Sequence, residues 1–104
     1  MSLEPVDVRV QRGYQWLKAK GPALGLDVTK LDPKRLDVSD ILSCPLAQAS
    51  GGTFGRGMQM AHRDIDIEWA TAHGFMPTNG DFGIINGVWR DVITADRSLS
   101  HAAA

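Results

Sequence analysis

Cys44, His62, His73 and His101 are the side chains of this chain best suited to nucleophilic or metal chemistry. A cysteine attacks as its thiolate and needs a base beside it, a part that His62 or His73 would fill. Cys44, however, directly precedes Pro45 at a helix start, where a small thiol packs well in a core, and packing is its expected role. Metal binding requires His, Cys or carboxylate ligands clustered at short spacing. The histidines are dispersed and Cys44 has no CxxC partner. His73, near a helix C-terminus, suits a cation favoured by the helix dipole. Asp64/Glu68 and Asp64/Asp66 could share acid–base work, but on an exposed helix face they amount to solvated charge. No catalytic residue, no cofactor and no metal site is expected.

The stretch Gly51-Gly-Thr-Phe-Gly-Arg-Gly57 spends four glycines in seven residues. It resembles a phosphate cradle only in composition. A P-loop needs GxxxxGK[ST] between strand and helix, and a dinucleotide site needs GxGxxG after a strand. A mobile connector is therefore expected. Phe54, Arg56, Met58 and Met60 cluster in and beside it, and such residue types anchor protein interfaces. These four are the candidate interaction residues; the competing role for Phe54 and one methionine is simply to close the core.

Ala70 and Gly74 have the four-residue separation of a helix-turn-helix. The turn that follows, Phe75-Met-Pro-Thr-Asn-Gly80, is too long. The would-be recognition helix opens Asp81-Phe-Gly-Ile-Ile-Asn-Gly87, acidic and apolar where base-reading side chains belong. Arg90 and Arg97 come late in it. An αα-hairpin with a structural turn fits better, and nucleic acid is the secondary expectation as a partner.

The elements that must carry these residues follow from periodicity. From Pro5, the apolar positions Val6, Val10, Tyr14 and Leu17 repeat at helical steps, and Gly21-Pro22 is the expected stop. Gly13 inside this helix implies a close packing contact there. In residues 26–38, Leu26-Asp-Val28 and Leu36-Asp-Val38 alternate like short strands, while Asp32-Pro33 starts one helical turn. The segment is expected to be extended chain with one turn; a minimal β element is the alternative. A short helix from Ser43 or Cys44 ends at Gly51-Gly52. Another, from Gln59 or Asp64 to His73, buries Ile65, Trp69 and Ala72 and stops at Gly74. The last starts near Asn79 or Asp81, with Phe82, Ile85, Trp89, Val92 and Ile93 on one face and Gly80, Gly83 and Gly87 as a second, small-residue stripe. Self-association of the chain as a homodimer through Gly83 and Gly87 is one outcome of that stripe. Residues 1–4 and 96–104 are expected to fray. Trp16, Trp69 and Trp89 fall on three helices and are expected to meet in one core.

These elements predict a mainly α protein: one small domain over residues 1–104, a bundle of about four helices with a C-terminal αα-hairpin. Composition agrees. The 104 residues are 43% hydrophobic and 22% charged, as in ordinary globular chains. A net charge of −1 is not that of a dedicated nucleic-acid binder, whose affinity comes from neutralising phosphates. No apolar run approaches the length of a membrane span, and the acidic N-terminus lacks a signal-peptide layout. With a lone cysteine, the cytoplasm is the expected location.

Several short motifs occur in a fixed order: Val8-Arg-Val-Gln-Arg-Gly-x-x-Trp-Leu17, then Leu31-Asp-x-x-x-Leu-Asp-Val-Ser-Asp40, Cys44-Pro-Leu-Ala-Gln48, His73-Gly-Phe75 and Val88-Trp-Arg-x-Val-Ile93. In them the chain resembles small uncharacterised proteins encoded by phages of actinobacteria, over most of residues 8–93. The Gly-rich segment before Met58 departs from the aromatic-rich one of that group. The resemblance implies a phage or prophage origin and action inside a bacterial host, and it transfers no activity and no functional residue. Together with the residues above, it leads to the expectation of a non-catalytic protein that binds a host or phage protein.

Overall fold

In the computed structural model, residues 4–62, 66–78 and 80–103 are described. They form α1 (Val6–Leu24), a 3₁₀ turn (Val28–Lys30), α2 (Pro45–Ser50), α3 (Phe54–His62), α4 (Ile67–Ala72) and α5 (Ile85–Ala103). The fold is a small all-α domain, with no strand among the described residues. The central element is α1, which packs against α3, α4 and α5, while α2 and α3 pair with each other.

Local chemistry accounts for most of the boundaries. Pro5 leads into α1, but the helix does not stop at Gly21-Pro22 as the sequence suggests. Pro22 lies on the exposed side, where water serves the carbonyl that its missing N–H leaves free. The helix ends instead at Gly25, whose φ of 84° is accessible to glycine at no steric cost. The Leu26 amide donates to the Gly21 carbonyl (2.9 Å), and its side chain is buried under that glycine. This is a Schellman-type stop.

Pro45 occupies the first turn of α2, and Gly51 ends it with φ 71°. Next comes the largest departure from expectation. The Gly-rich stretch is a tight corner followed at once by helix α3, with the Thr53 hydroxyl accepting from the Arg56 amide (3.2 Å). Gly57 is what lets the helices meet: a Cβ there would lie 2.6 Å from the Leu46 carbonyl oxygen. Propensity alone disfavours glycine in a helix, and the close approach overrides it. Asp66 caps α4 by accepting from the Trp69 amide (3.0 Å), and Gly74 (φ 70°) follows the helix end as anticipated.

The alternation read as strand-like in residues 26–38 is an irregular loop whose aspartates do the turning. Asp27, Asp32, Asp37 and Asp40 each accept, through Oδ1, from the amide two residues on, at 2.8–3.0 Å. Such Asx turns redirect the backbone without a sheet. The intervening Leu26, Leu31, Leu36 and Val38 are all buried.

The C-terminal αα-hairpin is corrected. Among the described residues α4 and α5 do not pack on each other; both pack on α1, because segment 73–84 separates them. Residues 96–103 belong to α5, which runs to Ala103. Its Asp96 accepts from the Tyr14 hydroxyl (2.6 Å) and the Lys18 ammonium (2.9 Å). The second glycine stripe faces open space: nothing lies within 4 Å of a Cβ built at Gly80, Gly83 or Gly87. Expectations for Ile65, Asp64, Asn79 and residues 1–3 lie outside the described residues.

One cluster of buried side chains joins all these elements. Trp89 is fully buried and donates its indole N–H to the Gly74 carbonyl (2.7 Å). Phe75 stacks on it at 5.7 Å and lies 5.6 Å from Trp69, which meets Trp16 edge-on at 5.0 Å. The three tryptophans thus converge on Phe75, with Trp16 and Trp69 half-buried at the margin. Gly13 makes the close contact its position implied, for a Cβ there would overlap the His73 carbonyl.

Candidate functional site

The four interface candidates do not share a surface. Met58 is fully buried and belongs to the core, which corrects its assignment as an exposed anchor. Met60 is half-buried, its methyl lying against Gly25. Arg56 is exposed, with its stem folded beside Gly52. A helical step of two residues sends neighbouring side chains to different faces, so Phe54 parts from Arg56. Phe54 borders a concavity.

That concavity is an apolar groove of about 250 Å³. Two segments line it, Val38, Ser39 and Ile41 in the first and Met76, Pro77 and Phe82 in the second, and Phe54 and Cys44 complete the lining. Ile41 and Phe82 are 65% and 55% exposed, and the adjoining Leu42 and Ile84 are 60% and 53% exposed. Phe82 had been expected on the core face with Ile85 and Trp89. The chain is not yet helical at Phe82, so the stripe begins only at Ile85. Large apolar side chains gathered on an exposed rim are uncommon on a surface that touches only water.

Each wall is held by side chains whose long-range partners no local sequence pattern announces. On the first, the Gln48 amide accepts from the Asp32 N–H (2.6 Å) and donates to the Ser43 carbonyl (3.0 Å). Asn86 accepts from the Val38 N–H (2.7 Å). Arg90 donates to the carbonyls of Pro33 (2.9 Å) and Leu36 (3.1 Å), and Arg97 to that of Leu31 (2.7 Å). The two arginines that a DNA-reading hairpin would present are therefore committed to this loop.

On the second wall, Arg9 and Asp81 form a buried ion pair. Arg9 also donates to the Glu4 carbonyl (2.9 Å) and the Thr71 carbonyl (3.4 Å). Asp81 accepts in addition from the Thr78 amide (2.6 Å) and hydroxyl (2.8 Å). Burial alone would raise the Asp81 pKa, but the hydrogen bonds from Arg9 and Thr78 and the Arg9 charge outweigh it and hold it below the usual carboxylate range. A buried pair satisfied on every side is costly to break at one end.

Cys44 is 1% exposed, and desolvation pushes its thiol pKa up, against hydrogen bonds from the Ala47 and Leu46 amides. A raised pKa means less thiolate, the opposite of an activated nucleophile. His73 donates its Nδ1–H to the Trp69 carbonyl (2.8 Å) and stacks on the Trp69 ring at 4.3 Å. The side chains of His62 and His101 lie outside the described residues. Among the described residues no three His, Cys, Asp or Glu side chains gather as a metal site, and no helix is long and apolar enough to cross a membrane. The chain matches no protein-family model, and neither a curated protein nor a solved structure is similar to it.

Proposed function

We propose that this protein acts by binding another protein, without chemistry of its own, and that the partner docks in the groove between Ile41 and Phe82. The observation that carries this is the pair of exposed apolar side chains, Ile41 and Phe82, lining a cleft large enough for one or two apolar side chains. Leaving such groups in water forgoes about 25 cal/mol per Å² of burial, which a partner recovers on docking. In keeping with the phage resemblance, the partner is a host or phage protein met inside the bacterial cell. The site replaces the Phe54–Met60 cluster and retains Phe54 from it.

A photo-crosslinking residue placed at Ile41 tests this, with the same residue at Gly87 as a control on an open surface. In an actinobacterial lysate the Ile41 probe is expected to trap a discrete protein, which after purification binds the wild-type chain and not Phe82→Asp. Equal labelling from both positions, or binding that survives Phe82→Asp, would count against the groove.

A further inference from the structure

The side chains that line the groove are uncharged, and the charges that adjoin them in sequence are all acidic. Asp37 precedes Val38, Asp40 lies between Ser39 and Ile41, and Asp81 precedes Phe82; no Lys, Arg or Glu adjoins a lining residue. Asp81 is neutralised by the buried Arg9 guanidinium. Asp37 and Asp40 are not: the ion pairs of the described residues are Arg9–Asp81, Arg12–Glu4 and Lys18–Asp96. Asp37 accepts from the Ser39 amide (3.0 Å) and the Asn86 side chain (3.3 Å), and Asp40 from the Leu42 amide (2.8 Å). These neutral donors fix the carboxylates without cancelling their charge. Arg90, which reaches the same loop, is bonded to the carbonyls of Pro33 and Leu36 instead. Burial raises the Cys44 thiol pKa most, and the Asp40 charge adds to the rise, so its field reaches the groove lining.

We propose that the segment docking in this groove presents a large apolar side chain flanked by lysine or arginine, with Asp37 and Asp40 meeting those cations. The proposal rests on the groove being the docking site and adds the chemistry of what enters it. The cleft takes the apolar side chain and gains from the area it buries. Apolar walls focus the field of charges at their edge, so a cation there is favoured and a carboxylate repelled. Because amide bonds already order both carboxylates, little side-chain entropy is lost when a cation arrives. Asp40 is exposed, so the charges select between partners more than they add affinity.

Two N-acetylated, C-amidated peptides test this, Lys-Leu-Phe-Leu-Lys and Glu-Leu-Phe-Leu-Glu, titrated against the full chain by NMR. The Ser39, Ile41 and Phe82 amides are expected to shift with the lysine peptide, which binds more tightly than its glutamate counterpart. Added salt should shrink that preference, because exposed charges are screened. Asp40→Asn and Asp37→Asn remove the charge, while the asparagine side chain accepts the same amide and keeps the turn. Each is expected to weaken the lysine peptide by about two- to fivefold, the range of an exposed charge pair. Asp27→Asn alters a like turn that adjoins no lining residue and should leave binding unchanged. Equal affinity for the two peptides would overturn the proposal and leave the groove as a docking site. So would a preference for lysine that survives both loop variants, or one that Asp27→Asn reduces as much. Failure of either peptide to shift the groove amides would sink the docking site itself, and the proposal with it.

Discussion

The loop 31–43 and the segment 76–84 both line one groove, yet they are held by different means. The loop buries Leu31, Leu36 and Val38, turns on three of its own aspartates, and is tied by Gln48, Asn86, Arg90 and Arg97. Among the described residues of 76–84, Phe82 and Ile84 are exposed, Met76 packs against the core, and the Arg9–Asp81 ion pair ties the segment to α1. Irregular backbone becomes rigid when helices lend it side chains, as α2 and α5 do for the loop. In the second segment a buried charge pair takes the place of that network.

The largest expected effect strikes what both walls share. Trp89→Ala empties the centre of the core and removes the indole donor to the Gly74 carbonyl, at a cost of about 3–5 kcal/mol. In a domain holding only about 5–15 kcal/mol that approaches complete unfolding, which urea denaturation would show. A midpoint close to wild type would deny that the two walls stand on one core.

Next in size is a change confined to the loop. Gln48→Ala strands the Asp32 amide and the Ser43 carbonyl, costing about 1–3 kcal/mol. Its effect should appear in global stability, since the loop is part of the core. If it instead gave local opening with an unchanged midpoint, the contrast between the walls would fail.

Acid should weaken the Arg9–Asp81 pair. The Asp81 pKa is lower folded than unfolded, so its stabilising contribution is complete above the unfolded value, about 3.9, and is lost as pH falls through the folded value below it. Asp96 is lowered too, by the hydrogen bonds from Tyr14 and Lys18, so the effect must be read locally rather than from a melting curve. The Thr78 and Asp81 amide resonances, followed down to about pH 2.5, are expected to move as the pair is lost. Resonances unchanged over that range would contradict the role of the pair.

The smallest effect concerns the rim. Phe82→Ser should leave stability within about 0.5 kcal/mol, as for a surface site without partners, while weakening partner binding. A destabilisation of several times that would make Phe82 a packing residue and not an anchor.

Periodicity and glycine grammar made much of the frame legible. The α1 stripe, the Pro45 start, the left-handed Gly51 and Gly74, the Gly13 contact and the tryptophan cluster all rest on rules that act within one or two helical turns. What stayed hidden depends on contacts across the chain. Gly57 reads as a loop residue until Leu46 is seen against it. Asp27, Asp32, Asp37 and Asp40 punctuate a strand-like pattern, yet their side chains make the turns. The groove was illegible for the same reason. Arg9 and Asp81 are 72 positions apart with no motif between them, and Phe82 fits a helical stripe that begins only at Ile85. Phe54 was found through its residue type, and its true neighbours, Ile41 and Phe82, were not.

Native-state hydrogen exchange tests the contrast between the walls most directly. The Asp32 and Val38 amides, bonded to Gln48 and Asn86, are expected to exchange only with unfolding of the whole domain. The Thr78 and Asp81 amides should exchange orders of magnitude faster, at a rate that barely responds to denaturant. Equal protection at all four sites, rising and falling together with urea, would show one rigid body and contradict the account.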